Sequence, residues 1–290
     1  MAMTIPEAFD AFHTRLTPTI TETQNAKSHR ASIEACIKSN FGLNRFFRTG
    51  SFGNGTSISG YSDVDYFASI PRENLKKDSG ITLHQAEKIL DTRFPQTGVK
   101  IDAPAVVIPF GTDPAETTEV VFADYIGTDT KYGKSMYEIP NGIGGWMRSS
   151  PDAHNYYVDY FNDKLGKKVK PLVRFIKAWK YYRMVPISSF YLEIFVTRYA
   201  AAEESILFSI DVKRIFEQLA VGQLPDIDDP MGVSGKISAC KAADRADVLE
   251  KLGRAVIRAK NARSSEEAGK ISDAFDWWNK VYNDGFPKYH

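Results

Sequence analysis

The chain has 290 residues, enough for two lobes or one large domain, and its 43% hydrophobic and 25% charged residues are ordinary for a soluble globular protein. A formal net charge of +1 gives no global electrostatic case for nucleic-acid binding, so any attraction to phosphate must be local. Cys36 and Cys240 are too few for a disulfide framework or a cysteine-rich zinc site, and the histidines pair with neither at ligand spacing. With no signal peptide and no apolar run of bilayer length, a reducing, cytoplasmic setting is expected.

In chain order, residues 5–16 and 18–40 read as helices punctuated by Thr17-Pro18. Ile33, Cys36 and Ile37 recur at helical spacing in the second, which suits a long helix along the back of the molecule. Arg45 to Arg48 reads as a short strand leading into a glycine-rich turn, TGSFGNG. Val64, Tyr66 and Phe67 then favour a strand. Residues 81–94 predict a helix, and 99–110 a strand interrupted by Pro104. A turn at 111–117 precedes EVVFADYI, Glu119 to Ile126, the most strand-like run in the chain. Glycines, prolines and Trp146 make 137–154 read as a loop, closed by a helix start at Ser150-Pro151-Asp152. Helices are then expected over 164–183, from Ser188 or Ser189 to about Ala200, and over 204–221, 239–262 and 265–283. Trp277-Trp278 in the last of these reads as core.

The chemistry concentrates between Thr49 and Ser69. In a strand, alternate side chains share a face, so Asp63 and Asp65 point together while Val64 and Tyr66 take the other side. Adjacent carboxylates repel and do not both stay ionised without a cation between them; Mg2+, held by carboxylates and substrate phosphates, is the usual answer. Gly50, Gly53 and Gly55 let backbone amides approach an anion, and Ser51 adds a hydroxyl. A phosphate cradle followed by metal-binding acids is what phosphoryl transfer requires. Each half alone is a weak signal; their order and separation make it a strong one.

Later residues are more ambiguous by themselves. Asp124 in its apolar strand is costly unless paired, and reads equally as a strand-end residue reaching solvent. Asp102 is a rival whose strand position Pro104 weakens. From Lys164 to Arg183 there are eight basic residues and no acids, with Lys170, Arg174 and Lys177 on one face. A solvated face is the usual meaning, but charge near the helix N-terminus opposes the macrodipole, and a bound triphosphate would relieve it. Asp226, Asp228 and Asp229, flanked by proline and glycine, read as a surface loop rather than a second metal site.

Gly50-Ser51 followed by Asp63-Val64-Asp65, with Gly55-Thr56 also in place, resembles the signature of the DNA polymerase beta-like nucleotidyltransferase superfamily. The closer resemblance is to the bacterial relatives of cyclic GMP-AMP synthase and oligoadenylate synthetase. It implies an α+β, bilobal fold. Residues 1–150 would form a mixed-sheet catalytic core with an N-terminal spine helix, and 151–290 a helical lobe completing the nucleotide pocket. It also implies Asp124 as the third catalytic, metal-binding carboxylate beside Asp63 and Asp65. Gly50, Ser51, Lys177, Ser189 and Phe190 become the nucleotide contacts, phenylalanine standing where tyrosine is frequent.

The same resemblance implies two Mg2+ ions, replaceable by Mn2+, and nucleoside triphosphates, ATP among them, as substrates. The product would be a cyclic di- or oligonucleotide second messenger in antiphage signalling. No His-Cys cluster is present to build the zinc insertion of the animal enzyme, so a regulatory protein or small-molecule trigger is expected rather than DNA. Membrane association is not expected, and a monomer is favoured with the oligomeric state left open. An RNA, protein or small-molecule acceptor, or an inactive nucleotide-binding module, stays open, as do base choice, linkage and ring size. The reading requires Asp124 to reach Asp63 and Asp65 on one side of the sheet.

Overall fold

The computed structural model describes residues 3–61, 63–111 and 116–290, so the turn expected at 111–117 lies largely outside the described residues. The first helix, α1 (Ile5–Leu16), starts at a capping box in which Thr4 and Glu7 satisfy each other's backbone amides. The expected 18–40 helix is two, α2 (Ile20–Ser28) and α3 (Arg30–Phe41), parted at His29. Then come β1 (Arg45–Arg48), a single helical turn α4 (Gly50–Gly53), β2 (Val64–Ile70) and α5 (Ser79–Arg93). The strand interrupted at Pro104 is a hairpin of β3 (Lys100–Asp102) and β4 (Ala105–Pro109), followed by β5 (Thr117–Thr128).

Residues 137–154 correct the loop expected there. They carry most of β6 (Ser135–Pro140) and all of β7 (Trp146–Ser149), an antiparallel pair. The glycines and Asn141 belong to the turn: Asn141 Oδ1 accepts from the amides of Ile143 and Gly145 at 3.0 and 2.9 Å. Ser150 Oγ accepts from the Ala153 amide at 3.1 Å and opens α6 (Pro151–Lys164). The basic segment is likewise broken, because Gly166 and Lys167 both take positive φ before α7 (Val169–Tyr182). The chain closes with α8 (Ser189–Ala201), α9 (Phe208–Val221), a short β8–β9 pair (Ile227–Asp228, Lys236–Ile237), α10 (Arg245–Glu267) and α11 (Ile271–Val281). No helix among the described residues is long and apolar enough to cross a membrane.

The chain divides into two compact units. One is Pro18–Tyr156 with Met231–Ser234. It holds a seven-stranded sheet ordered β1-β2-β5-β4-β3, with β6 on β5 and β7 on β6. The β2–β5 pair is parallel and the other pairs antiparallel. Alternation assigns the two faces. Val64, Tyr66, Ala68, Ile70, Val120 and Phe122 pack with Ile33 and Ile37 of α3 and Leu83 and Leu90 of α5. Phe67, Val121 and Ala123 lie on the other face with Tyr137 and Ile139. Each fully buried side chain of this size contributes roughly 1.5–3 kcal/mol, so register is strongly specified.

The second unit is helical: the N-terminal segment through Thr17, Tyr157–Pro230 and Gly235–His290. The first helix therefore departs from the expected 1–150 core. Phe9 and Phe12 on α1 are buried among Phe175 of α7, Trp278 of α11 and Phe286, with ring centroids 5.0–5.7 Å apart where they meet. Trp278 is core as expected, whereas Trp277 is only half-buried and lies under Lys280.

Candidate active site

Within the sheet unit, the Gly-Ser turn is folded against the strand that follows it. The Thr49 amide donates to the Asp65 carbonyl at 2.9 Å, tying the start of α4 to β2. Gly50 has φ +57°, and a Cβ built there would stand 1.7 Å from Asp65 Oδ2. Only glycine fits, both for its backbone conformation and because the carboxylate lies directly over its Cα. Asp65 thus sits at the first turn of α4, whose leading amides, those of Gly50 and Ser51 among them, have no acceptor within the helix.

The third acid of this face is Glu119, not Asp124. In the parallel register Asp65 is opposite Glu119, whereas Asp124 is opposite Ile70. Five residues at about 3.3 Å each carry Asp124 roughly 16 Å along the strand. An odd number of steps also turns it to the opposite side of the sheet, the face of Val120 and Phe122. There Asp124 is 8% exposed and pairs with Arg72 at 3.6 Å. Burial pushes its carboxyl up, and Arg72 opposes that. Its cost in the strand is met by an arginine rather than by reaching solvent at a strand end.

Glu119 enters the sequence reading only as the first residue of the strand-like run, with no role assigned to it. Burial, then the charges of Asp63 and Asp65 and a hydrogen bond with Asp63, push its carboxyl up to about 9, with Asp102 adding to the repulsion. Asp102, opposite Ala105 and so level with Val121, shares the face of Glu119, while Asp124 lies on the other. No sequence signal fixes the level of Glu119 beside Asp65, because both faces of β5 are apolar; only pairing with β2 does.

Among the described residues, no three acidic, histidine or cysteine side chains are drawn together as a ready-made metal shell. What Asp63, Asp65 and Glu119 share is mutual repulsion, eased where a proton on Glu119 bridges it to Asp63. An all-oxygen donor set of this kind fits a hard divalent cation such as Mg2+ or Mn2+ and not a soft metal.

The helical unit holds the other expected contacts. Ser188 caps α8, accepting from the Tyr191 amide at 3.2 Å, so Ser189 is the first helical residue. Ser189 Oγ accepts from Lys180 Nζ and lies 3.4 Å from Tyr181 Oη. Phe190 beside it is 38% exposed. Lys177 is elsewhere: it is 2% exposed and bonded to Glu193 at 2.9 Å. The geometry is that of two facing helices, with Lys177 and Lys180 three apart on α7 and Ser189 and Glu193 four apart on α8. The inner rung is a buried ion pair, and the lysine that meets Ser189 is Lys180.

The basic face inferred for α7 is also corrected. Lys170 pairs with Asp159 of α6 at 2.6 Å, and Arg174 is buried with its Nη1 2.8 Å from His13 Nε2. Burial pulls Arg174 down to about 10, and burial with Arg174 holds His13 below its usual range. Partners distant in sequence supply what the segment itself lacks.

Residues 3–162 match the family model described as Second Messenger Oligonucleotide or Dinucleotide Synthetase domain. A probable cyclic nucleotide synthase of Bacillus cereus (strain VD146) is 27% identical over 168 residues, 57% of this chain and 50% of that protein. A cyclic AMP-AMP-AMP synthase of Acinetobacter sp. (strain ATCC 27244 / 9458) is 27% identical over 169 residues, 54% and 48% of the two. These matches span about half the length of each relative. The structure of CdnC from E. coli MS115-1 with ATP superposes with a TM-score of 0.73 at 17% identity, covering 97% of this chain and 98% of that one. The likeness establishes the fold: α+β with a mixed sheet, of the polymerase beta-like nucleotidyltransferase kind.

Proposed function

Since the chain belongs to the Second Messenger Oligonucleotide or Dinucleotide Synthetase domain family, we propose that it joins nucleoside triphosphates into a cyclic di- or oligonucleotide second messenger, releasing pyrophosphate, in antiphage signalling. The observation that carries this reading is the gathering of Asp63, Asp65 and Glu119 beside the Gly50-Ser51 turn. ATP as one substrate is supported by the ATP held in the CdnC structure and by the Acinetobacter relative's product.

Asp63, Asp65 and Glu119 would hold Mg2+, with Mn2+ as a substitute. When bound, the metal supplies charge neutralisation at the phosphates and lowers the pKa of the attacking ribose hydroxyl. The residues themselves do the positioning. Asp65, seated on Gly50, fixes one carboxylate relative to the amides of Gly50 and Ser51, which orient phosphate oxygens through N–H donors. Glu119 must give up its proton for the set to become fully anionic, so deprotonation of this glutamate accompanies assembly of the site. In the helical unit, Ser189 and Phe190, with Lys180 in the role first given to Lys177, are assigned to nucleotide binding: a hydroxyl and an ammonium for phosphate, a ring for a base.

The test is incubation of the purified chain with labelled ATP and mixed triphosphates, with Mg2+ or Mn2+ and no added acceptor. Mass analysis of the products should find a soluble, phosphatase-resistant oligonucleotide that is absent with Asp63→Asn or Asp65→Asn. Product that forms only when RNA, protein or a small molecule is added overturns cyclic synthesis. Triphosphate binding without pyrophosphate release identifies an inactive module.

A further inference from the structure

Within the helical unit, the residues that end α7 and follow α11 meet the side of α10 around a cavity of about 200 Å3. Arg183, Lys251, Arg254 and Arg258 line it, with Tyr182 and Asn283, and no carboxylate is among its walls. Four cations in so small a space repel one another. Burial and then Arg258 pull the Arg183 guanidinium down, Asp284 opposes them, and Arg254 adds to the fall.

Part of this charge is structural. Arg183 donates to the carbonyls of Val281 and Lys280, Arg258 to that of Lys280 at 2.9 Å, and Lys251 to that of Met184 at 2.8 Å. These cap the last turns of α11 and the end of α7. Capping does not account for the whole set. Each guanidinium carries five donors, more than these carbonyls take up. Arg254 contributes to no cap; it bonds Glu250 one turn back on its own helix, as Lys251 also bonds Asp247. Such i,i+4 pairs on a helix surface are weak and are readily redirected toward a stronger anion. A planar fork of donors at a cationic concavity matches phosphate oxygens.

We propose that this cavity, built wholly from the helical unit, binds the phosphate head group of a small phosphorylated molecule. At about 200 Å3 it takes one or two phosphate groups, while pockets for whole drug-sized ligands start near 300 Å3, so the rest of the ligand would lie outside. The site is independent of the reaction proposed above and of its metal.

Titration calorimetry with inorganic phosphate and with pyrophosphate, on the full chain without divalent ions, tests it. Wild type and Asp65→Asn should bind pyrophosphate equally. Arg254→Gln, the variant least tied to folding, should weaken binding about tenfold, the value of one charged hydrogen bond, with an unchanged circular dichroism melt. Arg254→Lys should fall between. Equal affinity in wild type, Arg254→Gln and Lys251→Gln overturns the proposal. So does the absence of binding in wild type.

Discussion

The helical unit gives these buried charges hydrogen-bonding partners from elsewhere in the fold: Lys177 with Glu193, Arg174 with His13, and Asp211 with the Tyr199 hydroxyl and the Leu207 amide. The sheet unit instead gathers Asp63, Asp65 and Glu119 on one face, where acids answer acids and a glutamate is held protonated up to about 9. Within that same unit Asp124, on the other face, has its arginine. The comparison separates structural from functional burial of charge. An ion pair sits where folding placed its partner, whereas a cluster of like charges is a mark of sites completed by a ligand.

The sharpest way to break this contrast is to neutralise one acid on each face. Glu119→Gln and Asp65→Asn should each lower product formation by about 10³-fold or more, since each removes charge needed at the reacting phosphates. Both should leave the melting temperature unchanged or raised, because repulsion is relieved. Asp124→Asn should retain most activity. Rates and melts of the three variants, side by side, decide it; loss in Asp124→Asn with activity kept in Glu119→Gln would reverse the assignment.

Gly50→Ala probes the same face through the backbone. The methyl has no room beside Asp65 and the left-handed φ is strained. Activity should fall by about 10²-fold from displacement of the carboxylate, with a stability loss of about 1–3 kcal/mol. Activity measured at saturating triphosphate, with a urea melt, separates the two effects.

On the helical side the outcome should be the opposite. Lys177→Met leaves Glu193 buried with its charge uncompensated and should cost about 3–5 kcal/mol, as should Glu193→Leu, while the double variant recovers most of the loss. Urea denaturation of the four proteins closes the cycle. A stable Lys177→Met variant defective only in triphosphate binding would return Lys177 to the role first expected of it.

The smallest effect is one of pH. Because the folded state holds the Glu119 proton more tightly than the unfolded chain does, its contribution to stability is full below the ordinary glutamate range. That contribution is lost as pH rises toward about 9. Metal-free protein should therefore melt at lower temperature as pH climbs through that window, and Glu119→Gln or added Mg2+ should flatten the slope. A slope equal in wild type and Glu119→Gln would remove Glu119 from the cluster.

Much of this was legible in the residues themselves. Alternation put Asp63 and Asp65 on one face, the glycines marked the turn, and the Ser188-Ser189 pair announced a helix start without fixing which serine caps it; all are local rules with periods of a few residues. Asn141 and its glycines did mark a turn, but the strands on either side were lost because the punctuation was read as the whole segment. Lys177 and Lys180 were indistinguishable as helix residues, since which one faces Ser189 depends on how α7 lies against α8.

From the chain alone came the kind of chemistry, two carboxylates beside a phosphate-binding turn, because strand alternation and glycine's conformational freedom act within a dozen residues. Folding decided the third carboxylate. The level of Glu119 beside Asp65, and the turning of Asp124 to the far face, follow from the register between β2 and β5, whose pairing residues lie more than fifty positions apart. That register is set by which apolar side chains meet α3 and α5 in the core, and slipping it by one residue would exchange the faces of every side chain on the strand.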